Sequence, residues 1–272
     1  MEPFLNFMFD VLGHSAGHEL NLDREGFSQS FIREYDISLA KTEPDERSLH
    51  WLLINLLYLT LKYTPNLFRT WYLECRIKQT KNSIKPWLIK YFSPLIISDA
   101  LDEVAKWVEE QEAPADDEQE LVVKISKAAR EVIAEYEVDE EKAAMAIRIP
   151  ATFPLDMVEV VGINRVAVNE KKWQGWLLST QGAIQFGNGG ITDGLYTFRR
   201  NFIGTMKGQT ECAICYSIVS SDKRLPDKAC GTCHHSYHRV CLYKWFQNSG
   251  RNSCPLCRNP IDYIGSDTKR KT

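Results

Sequence analysis

The last quarter of the chain holds a regular array of cysteine and histidine side chains. Seven of the eight cysteines and one histidine form four pairs, each with two residues between its members. In chain order these pairs are Cys212/Cys215, Cys230/Cys233, His238/Cys241 and Cys254/Cys257. Thiolates and imidazoles are preferred ligands of Zn²⁺, and this short spacing can direct both members of a pair at one ion. Eight such ligands predict two tetrahedral zinc sites.

One of the eight ligands has a competitor. His235 stands two residues after Cys233, so it could replace Cys230 as a ligand while the other seven remain unchanged. A Cys230 thiolate would complete a site of four sulfurs, and an unused Cys230 would be left as a reactive thiol. Cys230 is therefore the preferred ligand, with His235 as the alternative.

Bulk composition limits what the rest of the chain can be. The 272 residues are 44% hydrophobic and 25% charged with a formal net charge of -3, which excludes a wholly disordered chain and a polycation. Residues 49–61 form the longest apolar stretch and fall short of the about 20 residues that cross a bilayer. The N-terminus shows no secretory signal, so paired cysteines indicate metal ligands in a reducing, cytoplasmic compartment and not disulfides.

Residues 1–112 have apolar side chains at helical spacing. Leucines over 49–59 give a wide apolar face that Thr64 and Pro65 end. Further helices are predicted over 68–75, from Pro86 onwards, and after an N-cap at Ser98. Successive helices with short connections are typical of a HEAT-like helical-repeat array, and a small helical bundle is the alternative.

The pattern changes after an acidic run. Residues 113–120 belong to the sequence EEQEAPADDEQE and predict a solvated linker. Residues 131–138 and 143–149 alternate with period two, and 139–142 between them fit a hairpin connection. A third strand is predicted over 157–161. Helical spacing returns around Trp173 and Leu195, with a break at 187–190, so residues 121–207 predict an α+β domain.

That order of sheet, Phe153-Pro154 and helices resembles an RWD domain. RWD domains share the architecture of ubiquitin-conjugating enzymes, whose active site is a cysteine that carries ubiquitin. Residues 121–207 contain no cysteine. The resemblance therefore implies a docking module that forms no covalent ubiquitin intermediate.

Residues between the zinc ligands distinguish two zinc folds. The ligand order fits both a RING and a PHD finger, which share a cross-brace: pairs one and three hold one ion, and pairs two and four hold the other. PHD fingers usually carry an aromatic residue where this chain has Asn252. The sequence resembles RING domains in Ile214, Trp245 and Pro255, which in those domains form the groove for a conjugating enzyme. Arg258 stands at the linchpin position of activating RINGs.

The stretches ECAICYSIV (211–219), KACGTCHHSYHRVCLYKWF (228–246) and NSCPLCR (252–258) resemble the C-terminal RING of the listerin family. The order of helical segment (1–112), linker (113–120), RWD-like domain (121–207), RING domain (208–264) and tail (265–272) fits that family as well. The resemblance implies a RING-type ubiquitin ligase of ribosome-associated quality control. Its implied partners are a ubiquitin-charged conjugating enzyme, the 60S subunit with a stalled nascent chain, and other quality-control factors.

Basic pairs in the RWD-like domain are candidates for contact with the ribosome near the tunnel exit. Lys171 with Lys172, and Arg199 with Arg200, would contact phosphates in a salt-sensitive way, and an ordinary solvated helix face is the alternative. Two other functions remain as alternatives for the whole chain. One is a PHD-like reader of histone tails, and the other is a zinc scaffold that does not activate ubiquitin transfer.

Overall fold

A computed structural model of the chain describes residues 2–36, 38, 46–111, 121–186 and 190–261. The predicted linker at 113–120 and tail at 265–272 lie outside these residues. The N-terminal segment is helical, as predicted. Its helices are α1 (Glu2–Val11), α2 (Leu22–Glu25), α3 (Gln29–Arg33), α4 (Glu46–Tyr63), α5 (Pro65–Glu74), α6 (Lys78–Tyr91) and α7 (Ser93–Glu110).

Two of the predicted helix starts are wrong. Pro86 lies inside α6, and Ser98 lies inside α7, where its hydroxyl donates to Asp102. Helix α7 begins at Ser93 with Pro94 in its first turn, where a missing N–H costs no hydrogen bond. Pro86 is tolerated because it and Asn82, whose carbonyl loses its helical partner, are both exposed to water.

Helix α7 belongs to two hydrophobic cores. Leu95 and Ile96 are buried among the helices of the N-terminal segment. Ile97, Leu101 and Val104 are buried in the core of the central domain, which follows in the chain. The helix therefore joins the two parts by burial of apolar surface on both sides.

The central domain contains the predicted antiparallel sheet with one strand more than expected. Its strands pair in chain order, and they are β1 (Leu121–Ser126), β2 (Glu131–Val138), β3 (Glu141–Arg148) and β4 (Glu159–Asn164). The predictions lacked β1 and placed the last strand over 157–161. Strand β1 escaped notice because it is an edge strand whose side chains alternate only between half-buried and exposed.

Two helices cover one face of this sheet. Helices α8 (Glu170–Phe186) and α9 (Ile191–Met206) pack against each other, and residues 187–189 between them lie outside the described residues. Tyr136 of β2 stacks on Phe202 of α9 with ring centroids 4.1 Å apart. Gly194 lets the helices approach closely, because a Cβ atom there would lie 2.6 Å from Ile184.

The RING domain has little regular structure. Strands β5 (Lys228–Ala229) and β6 (Ser236–Tyr237) form a short ladder, and α10 (Arg239–Ser249) follows. The apolar residues buried in its core are Tyr237, Leu242 and Ile261, together with three of the cysteines. Such a small core leaves much of the stability of the domain to metal binding.

A buried arginine adds polar contacts between the helical segment and the central domain. Arg69 of α5 donates from Nε to the carbonyl of Pro154 at 2.5 Å and from Nη1 to Asn66 at 2.6 Å. The amide of Asn66 donates in turn to the carbonyl of Gln185 at the end of α8. Among the helices of the described ranges, none has the length and apolar character needed to cross a bilayer.

Candidate functional site

The candidate zinc ligands come together as two groups of four. The first and third pairs along the chain form one group, and the second and fourth pairs form the other, which is the interleaving of a cross-brace. In each group the candidate ligand atoms all lie within 4.8 Å of one another. The groups are Cys212, Cys215, His238 and Cys241, and Cys230, Cys233, Cys254 and Cys257.

The group of four cysteines has the spacing of a tetrahedral zinc site. The Sγ atoms of Cys230 and Cys257 are 3.6 Å apart, and those of Cys233 and Cys254 are 3.7 Å apart. A tetrahedral ion with Zn–S bonds of about 2.3 Å places two sulfurs about 3.8 Å apart. The donor set is also one that Zn²⁺ prefers.

The group that contains the histidine meets the same test. Nδ1 of His238 lies 3.4 Å from Sγ of Cys215 and 3.8 Å from Sγ of Cys241. Bonds of about 2.1 Å to nitrogen and 2.3 Å to sulfur place the two atoms about 3.6 Å apart around a tetrahedral ion. Nδ1 is therefore the ring nitrogen that faces the metal position.

The geometry favours Cys230 over His235. The Cys230 side chain is fully buried within its group, and the backbone N–H of Thr232 donates to its sulfur at 3.4 Å. His235 is exposed, and its Nδ1 lies 3.0 Å from the carbonyl oxygen of Cys233, outside the group. The choice of ligand remains a prediction that the zinc content of variants can test.

Each Cys-x2-Cys pair is shaped by the same tight turn. The residue after the pair has a positive φ near 60°, and its N–H donates to the carbonyl of the first cysteine. This left-handed conformation costs a side-chain-bearing residue about 1–2 kcal/mol, so the turns store strain that ligand binding offsets. These residues are Tyr216, His234 and Arg258, with N–H to oxygen distances of 2.8, 2.9 and 3.0 Å.

A backbone carbonyl orients the histidine ligand. Nε2 of His238 lies 3.1 Å from the carbonyl oxygen of Ile218, so it carries the proton and donates it there. This leaves Nδ1 unprotonated and free to bind a metal, which is the usual role of an outer partner of a zinc-bound histidine. The His238 backbone N–H also donates to Sγ of Cys212 at 3.3 Å.

A buried tyrosine stabilises one thiolate. Burial opposes ionisation of Cys254, but the Tyr237 hydroxyl, 3.0 Å from Sγ, and the backbone N–H groups of Cys257 and Leu256 together lower its pKa to about 6. Burial raises the pKa of Tyr237, which keeps its hydroxyl protonated as a donor. Sequence reasoning missed this contact, because Tyr237 directly precedes the ligand His238 but bonds a ligand of the other group.

The predicted groove residues are partly exposed and lie next to the zinc ligands. Ile214 is half-buried inside the first pair and packs on the RING core. Trp245 is half-buried on α10, and its Nε1 donates at 3.0 Å to the carbonyl of Ser253, directly before the last pair. Pro255 inside that pair is also half-buried. Leu256 beside it is half exposed and was not among the predicted groove residues.

The basic candidates of the central domain differ in their surroundings. Lys171 and Lys172 are exposed at the start of α8, and Arg200 is exposed on α9. Arg199 is half-buried and donates to the Gln111 side chain at 2.6 Å. Asn201, next to the arginine pair, donates to Ser179 of α8. Lys172 lies seven residues before Ser179, so the lysine pair and the arginine pair are separated by roughly 10 Å along α8.

Comparison with known protein families accounts for all three parts of the chain. A family model described as the LTN1 family HEAT repeat region matches residues 1–105. A model for the ubiquitin conjugating domain-like fold matches residues 121–203, and a ring finger model matches residues 210–258. The ring finger match decides against the PHD alternative for the zinc fold.

Individual relatives match almost the whole chain. The E3 ubiquitin-protein ligase listerin of Neurospora crassa is 59% identical over 270 residues, or 99% of this chain. The listerins of Schizosaccharomyces pombe and Gallus gallus are 34% and 32% identical over 97% and 84% of it. The chain spans only 17%, 16% and 12% of the length of these three relatives. It belongs to the listerin family and corresponds to the C-terminal region of those proteins.

Proposed function

We propose that the chain is the ubiquitin-transferring part of a RING-type E3 ligase, the activity for which its relatives are named. The observation that supports this most directly is the cross-braced pair of ligand groups in a RING domain that retains Ile214, Trp245, Pro255 and Arg258. Bound at these groups, two zinc ions would cross-link the loops that carry the groove. The central domain supplies no cysteine nucleophile, because residues 121–207 contain no cysteine.

Transfer would then proceed by positioning. The apolar groove would hold the conjugating enzyme, and the exposed Arg258 guanidinium would donate hydrogen bonds to both the enzyme and its linked ubiquitin. Such clamping keeps the thioester carbonyl in an orientation that an incoming lysine amine can attack. Arg258 is well placed for this role, because its left-handed backbone lies directly after the last ligand.

Ubiquitination in a reconstituted mixture tests this proposal. Ile214→Ala removes apolar surface from the groove without touching a ligand, so we expect loss of ubiquitin chain formation at unchanged zinc content. Ile163→Ala, at an exposed apolar residue of the central domain, is the control and keeps full activity. Wild-type protein without activity would favour the non-activating scaffold, and an active Ile214→Ala protein would refute the groove.

We further propose that the substrates are nascent chains stalled on the 60S subunit, and that the central domain docks near the tunnel exit. Exposed Lys171, Lys172 and Arg200 support this, because such cations can contact rRNA phosphates. Arg199 contributes less, because its guanidinium already bonds Gln111. The proposal places the protein in the cytosol, with the other ribosome quality-control factors as neighbours.

Co-sedimentation with isolated 60S subunits tests the docking proposal. Charge reversal of Lys171, Lys172 and Arg200 should weaken binding, and wild-type binding should fall as salt rises because phosphate contacts release counterions. Lys142→Glu changes an exposed lysine on the β2–β3 hairpin and serves as the matched control. Equal binding of the triple variant and wild type would contradict docking through these side chains.

A further inference from the structure

The RING domain makes direct contacts with the central domain. The loop between its first two ligand pairs folds back, and Val219 is buried in the core of the central domain at 5% exposure. Further along this loop, the carbonyl of Lys223 accepts from the N–H of Ala167 at 2.9 Å, and its ammonium donates to Asn164 at 3.0 Å. The loop is therefore attached to the central domain at two places.

One carboxylate of the central domain bonds two backbone N–H groups of the RING loop. Oδ2 of Asp139 accepts from the backbone N–H of Ile218 at 2.5 Å and from that of Val219 at 2.7 Å. Asp139 and Glu140 are the two central residues of the turn between β2 and β3, and both have positive φ, 50° and 69°. The turn thus holds Asp139 in a strained conformation that aims its side chain at the RING loop.

One peptide group links Asp139 to a zinc ligand. Val219 donates its N–H to Asp139, and the Ile218 carbonyl of that same peptide accepts the Nε2–H of His238, 3.1 Å away. Asp139 therefore fixes the residue that orients the imidazole of the first ligand group. Loss of the direct partner of a metal-bound histidine, which here is the Ile218 carbonyl, commonly changes metal affinity by about 10- to 100-fold.

We propose that Asp139 is a positioning residue that fixes the RING domain on the central domain and, through Ile218, orients the zinc ligand His238. A conjugating enzyme bound at the groove would then have a set orientation relative to the central domain. That last consequence rests on the ligase function proposed above, whereas the orientation of the RING domain and the state of the zinc site do not.

Two glycine substitutions in the β2–β3 turn separate the effect of the Asp139 hydrogen bonds from the effect of relieving backbone strain. Asp139→Gly removes the acceptor but suits a positive φ, and Glu140→Gly relieves the same strain without touching the RING loop. In the full wild-type chain, the residual dipolar couplings of the RING domain and of the central domain should fit one common alignment tensor, as expected of a rigid body. We expect the RING couplings to deviate from this common alignment in Asp139→Gly, where only Val219 and Lys223 still attach the loop, and to keep it in Glu140→Gly.

Rescue and a metal signal complete the test. Asp139→Asn keeps an oxygen acceptor and tolerates a positive φ, so it should restore the common alignment. In protein loaded with ¹¹³Cd, Asp139→Gly should perturb the resonance of the site with three sulfurs and one nitrogen and leave that of the four-sulfur site unchanged. Release of zinc from the first site to a chelator should become about tenfold faster.

Unchanged alignment and cadmium signals in Asp139→Gly would overturn the proposal, as would equal changes in Glu140→Gly. None of these measurements involves ubiquitin. A wild-type protein without ligase activity would therefore refute the proposed function while the Asp139 result stands on its own.

Discussion

At the scale of single residues, a zinc site depends on donors that lie outside the coordinating set. Cys254 is the clearest case, because Tyr237 and backbone N–H groups lower its pKa to about 6 against the effect of burial. Its thiolate is therefore present near neutral pH before metal arrives. Metal binding needs deprotonated thiols at all four cysteines, so acidification opposes binding at this group.

The eighth ligand gives the first residue-scale prediction. Cys230→Ala should reduce the zinc content from two ions per chain to one, because its sulfur belongs to the four-cysteine group. His235→Ala should keep two ions, since that imidazole is exposed and outside the group. Metal analysis of dialysed protein measures both. Two ions in the cysteine variant together with one in the histidine variant would reverse the assignment.

His14 is a buried histidine whose surroundings could not be predicted from its spacing along the chain. Its ring is fully buried, lies edge-on to Phe9 and Trp87, and its Nδ1 is 2.8 Å from the Ser83 hydroxyl. Within the described residues its Nε2 is buried without a hydrogen-bond partner. Protonation would place an unpaired charge there, so burial lowers the pKa to about 4 although Glu19 partly opposes it.

A pH dependence follows from this histidine. The unfolded chain binds the proton below its ordinary pKa of 6.5 and the folded chain only near 4, so stability falls as the pH drops through that window. We expect a loss of about 2–3 kcal/mol between pH 7 and pH 4 that is absent in His14→Leu. Hydrogen exchange in α1 and α6, corrected for intrinsic rates, measures it. His18→Gln, at an exposed neighbour, should behave like wild type.

What the sequence predicts well is local, and what it misses depends on distant contacts. The ligand pairs were predictable from their two-residue spacing, and the grouping of the pairs was expected from the cross-brace that the resemblance to RING domains implies. Asp139 lies 79 residues before its partner Ile218 in the chain. An acidic residue in a turn does not by itself indicate such a contact. The same holds for Tyr237, whose partner Cys254 belongs to a later pair.

At the scale of elements, periodic apolar patterns predicted helices and strands better than their ends. Helix α4 and strand β2 were expected from spacing, whereas α6 continues through Pro86, where Pro86 and Asn82 are both exposed residues. Strand β1 was missed because an edge strand needs no buried face of its own. Boundaries and edges are decided by solvent and neighbours, which a single segment does not encode.

Helix α7 yields the element-scale prediction. Leu101 is 1% exposed in the core of the central domain, so Leu101→Ala should destabilise that domain by about 2–4 kcal/mol although it lies outside residues 121–207. Leu95→Ala, equally buried six residues earlier, faces the helical segment and is the matched control. Hydrogen exchange of β2 amides should accelerate only in the first variant. Unchanged exchange of β2 in Leu101→Ala would contradict the double role of α7.

At the scale of the whole molecule, the helical segment and the RING domain are both fixed to the central domain. Arg69 and α7 attach it to the helical segment, and Asp139 and Val219 attach the RING domain to it. The domain boundaries that composition suggests do not indicate any of these four contacts. The acidic run at 113–120 separates the parts in sequence, yet α7 before it completes the core that follows it.

The last prediction concerns where the molecule can be divided. A zinc-loaded chain of residues 121–272 lacks α7 and exposes the surface that Ile97, Leu101 and Val104 cover, each worth about 1.5–3 kcal/mol. A chain of residues 93–272 keeps them, with Leu95 and Ile96 changed to Lys because their own core is gone. We expect the longer chain to melt at the higher temperature by thermal circular dichroism. Leu101→Asp in that longer chain should remove the advantage, because α7 then no longer fits the central core, and equal melting of all three chains would contradict its role there.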